Sequence, residues 1–254
     1  EASGKSVVAV ACDDLASDPL ADPDHGASFD FSSEAATELS IGRAGRHVER
    51  QARRLKDILD GLAGPDAGLF SGRLNLYRIG VLGYSIGGAA GVQLASMDGR
   101  VAAVFNLDGG LFGAAADAPG SAAYFVVSSK EAFLPASDLT SPAPATRNNA
   151  IVTARDNERQ ALMASRPNSY WAAIDSADHA DLSDALFTLT RRSVFRSPFE
   201  RFGVSAALRA YQVAFFRKSL LGEDPPLLRG PRLNQYVRWI TRASETPGRA
   251  SAHR

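Results

Sequence analysis

The sequence predicts an α/β fold in which a mostly parallel sheet carries helices on both of its faces. Short apolar runs rich in β-branched residues recur along the chain, and segments with apolar residues at helical spacing separate them. Strands that alternate with helices are typical of parallel sheets covered on both sides. The 254 residues, 45% of them hydrophobic, suffice for one large domain, which we expect over 1–240, followed by a polar, disordered tail over 241–254.

Five segments have the composition of strands. The first, "SVVAVAC", opens with an apolar, β-branched run that is typical of a buried parallel strand. In parallel sheets the functional residues gather at the carboxyl ends of the strands, so the residues after each strand are the first candidates. We expect the strands over 6–12, 78–84, 100–110, 122–129 and 169–177.

The predicted helices lie between and after these strands. The longest has apolar residues at helical spacing over 34–62 and ends at Gly64-Pro65. A second helix, rich in small residues, runs from Ile86 to about Met97. After a loop rich in proline and serine, which extends to about residue 146, we expect helices over 150–165, 181–190 and 203–221.

Composition and charge exclude several functions. Lys+Arg and Asp+Glu number 28 each, so no net field attracts nucleic acid or an anionic membrane surface. Cys12 is the only cysteine, so no intrachain disulfide forms. No apolar stretch approaches the ~20 residues of a membrane span, and neither a metal-ligand pattern nor a dinucleotide fingerprint occurs. We therefore expect no metal, no cofactor, no nucleic acid and no integral membrane segment, while compartment and oligomeric state stay open.

The segment "IGVLGYSIGGAAGVQLA" contains the strongest chemical signal. In it, Gly83-Tyr84-Ser85-Ile86-Gly87 falls where an apolar strand turns into a small-residue helix. The two glycines relieve crowding around a strained serine, whose hydroxyl then projects from the sheet edge as a nucleophile. The backbone N–H of Ile86, at the helix N-terminus, is positioned to stabilise an oxyanion. The pattern alone also fits a tight turn without chemistry, and its context favours the nucleophile.

A serine hydroxyl needs a base to react at neutral pH, and four histidines are present. His179 follows the last expected strand in "AIDSADHADLSD", where the base of a serine–acid–histidine hydrolase belongs; its alternative role is to cap the next helix. We expect His47 on a solvated helix face among arginines, His25 in a surface loop and His253 in the polar tail. His179 is therefore the favoured base.

A carboxylate between Ser85 and His179 would complete the chain order serine, acid, histidine. Asp108 closes the third strand in "FNLDGG", and Glu131 follows the fourth in "VVSSKEAF". The later strand is the commoner place for the acid, which favours Glu131. The two glycines after Asp108 expose the end of its strand, which favours Asp108. On the residues alone, both stay open.

Together these motifs resemble the α/β-hydrolase superfamily and, within it, the platelet-activating-factor acetylhydrolase-like esterases and lipases. The matching segments, in order over most of 72–222, are "GRLNLYRIGVLGYSIGGAA", "NLDGGLFG", "VVSSKEAF", "DSADHADLSD" and "YQVAFFRKSLLGED". The resemblance implies an acid within a Leu-Asp-Gly motif on the strand after the elbow helix, which is Asp108, with Glu131 as the fallback. It implies Ser85 as nucleophile, His179 as base and an acyl-enzyme formed on an ester.

The sequence departs from this family at one point. Such esterases take a second oxyanion N–H from a loop after an earlier strand, and only five residues precede the expected strand over 6–12. His25-Gly26 follows a polar loop rather than a strand, so we do not expect it to fill that role. We expect either a chain that lacks the first strands or one that builds its oxyanion hole otherwise.

The leading function is a serine carboxylic-ester hydrolase acting on short or medium acyl esters, lipids or polyesters. A serine peptidase or acyltransferase on the same three residues, and a catalytically silent binding protein with the same fold, are the alternatives. Phe195, Phe199 and Phe202 are candidates for an acyl pocket, although aromatic residues of this kind are more often part of the core.

Overall fold

The computed structural model describes residues 28–65, 67–183, 197–229 and 235–241. Several predictions concern residues outside these ranges: the strand over 6–12, His25, Phe195, His253 and residues 242–254 of the polar tail expected over 241–254. The first residue of that expected tail, Thr241, instead ends a strand of the sheet. Within the described residues, a five-stranded sheet flanked by helices on both faces confirms the predicted α/β architecture.

The strands of this sheet are β1 Ile79–Tyr84, β2 Val101–Leu107, β3 Ala123–Ser129, β4 Tyr170–Ile174 and β5 Arg238–Thr241. They lie side by side in chain order. The first four are parallel to one another, and β5 is antiparallel to β4. Parallel neighbours require crossover connections, and helices supply them between β1 and β2 and between β3 and β4.

Hydrogen bonds between neighbouring strands continue past the strand ends. The N–H of Ser85 donates to the carbonyl of Leu107 at 2.8 Å, and the N–H of Asp108 donates to the carbonyl of Val127 at 2.9 Å. Because the strands are parallel, the residues that follow β1 and β2 meet at the same edge of the sheet. Ser85 and Asp108 are thereby held at adjacent positions by the backbone alone.

The long helices are α1 Glu34–Ala63, α2 Ile86–Met97, α3 Pro144–Ala164 and α4 Pro198–Leu221. Successive side chains of a strand point to opposite faces of the sheet. Phe105 of β2 accordingly packs against Phe215 of α4 on one face, whereas Val104 packs in the core formed with Leu94 of α2 and Met163 of α3 on the other. Among the described residues, no helix combines the length and apolar character needed to cross a bilayer.

Helices α3 and α4 begin earlier than their apolar periodicity predicts. Helix α3 starts at Pro144 rather than at about 150, and α4 starts at Pro198 rather than at 203. Proline fits the first turn of a helix, because the N–H that it lacks would have no acceptor there. Ser197 caps α4, since its Oγ accepts a hydrogen bond from the N–H of Glu200 at 3.2 Å. A proline in the first turn marks both starts, and a side-chain cap also marks the start of α4.

The segment predicted as a helix over 181–190 begins differently. His179–Leu182 form a short 3-10 helix, which Asp178 and Asp181 cap through reciprocal side-chain to backbone hydrogen bonds. Residues 184–196 lie outside the described part of the chain. The described start of this segment thus contains His179 itself, whereas the periodicity places the helix after it.

The sequence pattern does not predict β5, because its four residues are too few to show the alternation of a strand. Long-range contacts hold it in the sheet. The Trp239 ring packs against the rings of Tyr170 and Tyr211 at centroid distances of 5.6 and 5.7 Å. Arg238 donates two hydrogen bonds to the Asp175 carboxylate.

The His47 side chain is buried, although its sequence context predicts a solvated helix face. Its side chain is only 5% exposed, rather than on a solvated face. It shares the buried face of α1 with Ala44 and Val48. The neighbouring arginines mislead because they do not mark a solvated face. Arg43 and Arg50, four residues before and three residues after His47, lie on its side of the helix and are partly buried, whereas Arg46 is exposed.

The prediction that Phe199 and Phe202 belong to the core is also wrong. Their side chains are 86% and 63% exposed. The buried positions of α4 begin at Val204 and recur at Ala207, Leu208 and Tyr211, which is the spacing of one helical face. Phe199 and Phe202 do not fall on that face.

Candidate active site

Ser85 lies in the tight turn between β1 and α2. Its φ of 53° and ψ of −126° fall in a region that residues with a side chain rarely adopt. A Cβ on residue 83 would collide with the backbone of Gly87 and Gly88, so this position must be glycine. A Cβ on Gly87 would meet nothing within 4 Å beyond its own helix and chain neighbours. The predicted steric role therefore holds for Gly83 and is wrong for Gly87.

Helix α2 starts directly after Ser85 and packs closely on the sheet. A Cβ on Gly88 would collide with the carboxamide of Asn106, and one on Gly91 would lie 2.9 Å from the Val81 side chain. The N–H groups in the first turn of a helix have no acceptor inside the helix and carry a partial positive charge. Ile86, the predicted oxyanion donor, is the first residue of α2.

Two hydrogen bonds join Ser85, His179 and Asp108 into one chain of side chains. The Nε2 atom of His179 is 3.0 Å from the Oγ atom of Ser85, and its Nδ1 atom is 2.9 Å from the Oδ2 atom of Asp108. The three residues follow β1, β2 and β4, so the parallel sheet brings together side chains that are far apart in the sequence. The structure thus unites all three predicted residues, with both imidazole nitrogens engaged.

The Asp108 carboxylate has a fixed orientation. Its Oδ1 atom accepts a hydrogen bond from the N–H of Ser129 at 2.7 Å, which leaves Oδ2 for His179. The side chain is 9% exposed. The backbone of Asp108 also has a positive φ, 55°, so a strained turn carries the acid just as one carries the serine.

Asn106, a fully buried residue of β2, fixes the turn that carries Asp108. Its Oδ1 atom accepts from the N–H of Gly109, and its Nδ2 atom donates to the carbonyl of Gly109, each at 2.8 Å. Nδ2 also donates to the hydroxyl of Tyr124, and the Gln160 carboxamide donates to the same Gly109 carbonyl. The sequence reasoning missed Asn106. The sequence did contain a signal, because a polar residue interrupts the apolar run "VAAVFNL". A polar side chain in a buried strand requires hydrogen-bond partners.

The surroundings of His179 favour its protonated form. The hydrogen bond that His179 Nδ1 makes to the Asp108 carboxylate raises the pKa of His179 above its ordinary value, and the negative charges of Asp108 and Glu131 act in the same direction. Partial burial of the imidazole opposes this increase without cancelling it. Once neutral, His179 is therefore a stronger base than a free histidine.

Glu131, the fallback acid, lies on the 3-10 helix Lys130–Ala132 after β3 and is exposed. The strand-end acid within hydrogen-bond distance of His179 Nδ1 is Asp108, while Glu131 contributes negative charge nearby. Within the described ranges, no group of three or more His, Cys, Asp and Glu residues is placed to hold a metal ion.

Comparison with known proteins bears mainly on the fold. No protein-family model matches the chain, and no curated protein matches it. A solved structure described as a ferulic acid esterase from Streptomyces cinnamoneus is similar over 78% of this chain, with a TM-score of 0.59 and 25% sequence identity. The fold is that of the α/β hydrolases.

The chain spans 56% of the length of that esterase. The hydrolase fold agrees with the broader part of the resemblance in the sequence, to esterases of this superfamily. The narrower likeness to the platelet-activating-factor acetylhydrolase-like group stays a prediction, as do the catalytic roles of the three connected residues.

Proposed function

We propose that the chain is a serine carboxylic-ester hydrolase that works through an acyl-enzyme. The observation that carries this proposal is the pair of hydrogen bonds, 3.0 Å from Ser85 to His179 and 2.9 Å from His179 to Asp108. A nucleophile, a base in contact with it and an acid that orients the base are the parts that acyl transfer requires. The similar solved structure, described as an esterase, supports an ester as the substrate.

Acylation of Ser85 is the first half of the reaction. The Oγ atom of Ser85 attacks the carbonyl carbon of the ester while Nε2 of His179 takes the hydroxyl proton. Asp108 holds the imidazole with its proton on Nδ1 and stabilises the imidazolium that forms. The N–H of Ile86 donates to the oxyanion of the tetrahedral intermediate. The bond from carbon to the alcohol oxygen then breaks, His179 returns its proton to that oxygen, and the alcohol leaves.

Hydrolysis of the acyl-enzyme is the second half. His179 takes a proton from a water molecule, whose oxygen attacks the acyl carbon. The bond from that carbon to Ser85 Oγ then breaks, and the proton on His179 restores the serine hydroxyl. The carboxylic acid leaves, and the three side chains return to their starting protonation states.

The N–H of Ile86 is one donor to the oxyanion. Serine hydrolases typically use two, and loss of one lowers kcat by ~10²–10³-fold. An enzyme with Ile86 as its sole donor would therefore turn over slowly and still acylate its serine. Covalent labelling of Ser85 is for this reason a more sensitive test than turnover.

A fluorophosphonate probe tests the proposal. Folded protein is incubated with the probe, and the adduct is mapped by mass spectrometry beside Ser85→Ala and His179→Ala. Ser96→Ala is the matched control, because Ser96 lies near the far end of α2 and bonds the carbonyl of Gln93. We expect one adduct, on Ser85, in the unmodified protein and in the control, and none in the other two variants. Absence of an adduct on Ser85 would contradict the proposal.

A substrate panel separates the ester hydrolase from its alternatives. We expect p-nitrophenyl butyrate to be cleaved much faster than the matching p-nitroanilide, with water as the acyl acceptor. Faster cleavage of the anilide would identify a peptidase. Transfer of the acyl group mainly to an added alcohol would identify an acyltransferase. A folded protein whose Ser85 is never labelled would be a binding protein with a hydrolase fold.

A further inference from the structure

The carboxyl end of β3 lies between the loop that carries Asp108 and the loop that carries His179, because β3 pairs with β2 on one side and with β4 on the other. The N–H of Ser129, the last residue of β3, donates to Asp108 Oδ1 at 2.7 Å. The next N–H, that of Lys130, donates at 3.0 Å to the carbonyl of Ala177, two residues before His179. Consecutive N–H groups of one segment thus contact both loops and fix the acid relative to the base.

The Lys130 side chain makes a second contact with the loop of His179. Its Nζ atom is 2.7 Å from Oδ1 of Asp178, the residue directly before His179. The Lys130 side chain is 53% exposed, whereas that of Asp178 is only 12% exposed. An ion pair between two exposed side chains contributes little to stability. A charge-assisted bond to a largely buried carboxylate restricts the position of that carboxylate more strongly.

Asp178 connects this ion pair to the backbone of His179. It is the N-cap of the 3-10 helix His179–Leu182. Its N–H donates to Asp181 Oδ2 at 2.8 Å, and its carbonyl accepts from the N–H of Asp181 at 3.0 Å. Asp178 is therefore fixed to the turn in which His179 is the first residue, so a displacement of Asp178 would displace His179 with it.

We propose that Lys130 is a positioning residue for His179, and that its ion pair with Asp178 keeps the imidazole Nδ1 atom within hydrogen-bond distance of Asp108. This inference rests on the proposed ester hydrolysis, in which the 2.9 Å contact between His179 and Asp108 orients the base. The catalytic steps above do not use Lys130, which acts through Asp178 rather than on the reacting atoms. Small displacements matter, since a misplacement of ~1 Å costs up to about 10²-fold in rate.

Steady-state kinetics on p-nitrophenyl butyrate measure the effect on turnover. Lys130→Met removes the ammonium group and keeps an unbranched side chain, and we expect kcat to fall roughly 10-fold with KM within about 2-fold of its original value. Lys130→Arg keeps the positive charge and should retain kcat to within about 3-fold. Lys56→Met is the matched control, because Lys56 pairs with Asp60 on the same helix, α1, at 2.6 Å. Equal kcat values for Lys130→Met and this control would overturn the proposal.

The pKa of His179 separates displacement of the imidazole from the loss of a positive charge. Removal of the Lys130 ammonium would by charge alone raise the pKa of His179, because a neighbouring positive charge disfavours the imidazolium. Displacement of the imidazole from Asp108 would lower this pKa, because the hydrogen bond to Asp108 is the largest cause of its increase. The charged and titratable groups around His179 in the described residues include Asp108, Glu131, Lys130, Asp178, Asp181 and Tyr84.

We therefore expect a lower pKa of His179 in Lys130→Met than in the unmodified protein. Proton NMR titration of the histidine rings, assigned with His179→Ala, measures this pKa without any turnover. Lys130→Arg and Lys56→Met should leave the pKa unchanged. A pKa of His179 that is unchanged or raised in Lys130→Met would overturn the proposal, because the imidazole would then have kept its contact with Asp108.

Asp178→Asn tests whether Lys130 acts through its ion pair. The carboxamide keeps the shape of the side chain and loses the charge that pairs with Lys130. In this background, Lys130→Met should change kcat by less than about 2-fold, since the interaction between the two residues is already gone. Circular dichroism checks that each variant folds. An equal loss of kcat from Lys130→Met in both backgrounds would overturn the proposal, because Lys130 would then act independently of Asp178.

Labelling and NMR together separate failure of this inference from failure of the proposed function. If fluorophosphonate labels Ser85 and Lys130→Met changes neither kcat nor the pKa of His179, ester hydrolysis stands and the positioning role is refuted. If Ser85 is not labelled and the pKa of His179 falls in Lys130→Met, the proposed function fails, while placement of the imidazole by Lys130 is supported.

Discussion

Tyr84 contacts His179 in two ways. The Tyr84 ring stacks on the imidazole at 4.9 Å between centroids, with 30° between the ring planes. Its hydroxyl donates a hydrogen bond to the backbone carbonyl of His179 at 3.2 Å. Because Tyr84 directly precedes Ser85, the residue beside the proposed nucleophile also holds the side chain and the backbone of the proposed base.

Removal of these contacts is expected to reduce ester hydrolysis in two steps. Tyr84→Phe keeps the stacking and loses the hydrogen bonding of the Tyr84 hydroxyl, so we expect kcat to fall roughly 2- to 10-fold. Tyr84→Ala also loses the stacking and should fall further. Tyr77→Phe is the control, because Tyr77 is 87% exposed. Steady-state kinetics on p-nitrophenyl butyrate measure the effect, and activity of Tyr84→Ala equal to that of the unmodified protein would contradict it.

The hydrogen bonds between the Asn106 side chain and the Gly109 backbone are expected to affect catalysis through the position of Asp108. Asn106→Asp replaces the Nδ2 donor by an oxygen facing the carbonyl of Gly109, which pushes the turn apart. A displaced Asp108 should lower kcat on the order of 10²-fold, and the acid limb of the pH–rate profile should move to lower pH, because His179 loses the partner that raises its pKa. Tyr124→Phe is the control, since it spares both bonds to Gly109. Loss of rate with an unchanged pH profile would show a merely structural role.

The pH dependence distinguishes Asp108 from Glu131 as the acid. His179 acts as a base only when neutral, so activity should rise with pH through the raised pKa of His179. In Asp108→Asn we expect a loss of ~10⁴-fold in kcat and a midpoint at lower pH. Glu131→Gln should move the midpoint in the same direction with little loss of kcat. A larger loss of kcat in Glu131→Gln than in Asp108→Asn would make Glu131 the acid.

The two glycines of the pentapeptide are expected to differ in their effect on stability. Gly83→Ala places a methyl group against the backbone of Gly87, and we expect it to lower the free energy of unfolding by about 1–3 kcal/mol. Gly87→Ala adds a methyl group where none is in contact, and alanine favours the helix by up to about 1 kcal/mol. Urea unfolding of both variants measures the difference, and equal stability of the two would contradict it.

The sequence by itself determined the fold class, four of the five described strands, and Ser85, His179 and two candidate acids as residues at the sheet edge. These features rest on local patterns: apolar runs, helical spacing and the residues that follow each strand. Parallel strands have their carboxyl ends at the same edge of the sheet. Hence the positions of Ser85, Asp108 and His179 in the chain were enough to predict that they lie close together.

Tertiary structure alone decided which carboxylate contacts His179. Asp108 and Glu131 both follow strands, and only the register of β2 against β3 places the oxygens of Asp108 between Ser129 and the imidazole. On the residues alone the two acids stayed open, and the family resemblance favoured Asp108. A choice between them depends on distances of a few ångströms, which no local pattern in the chain encodes.

Contacts between distant segments likewise decided three other features: the burial of His47, the hydrogen bonds that Asn106 makes to the turn at Gly109, and the presence of β5. In the sequence, Asn106 only interrupts an apolar strand. Its structural role depends on its hydrogen bonds to Tyr124 on the next strand and to Gly109 in the turn. Strand β5 is too short to show a pattern and is held by rings from β4 and α4. Local preferences select helices, strands and turns, whereas the partners of a buried polar group or a short edge strand exist only once the chain has packed.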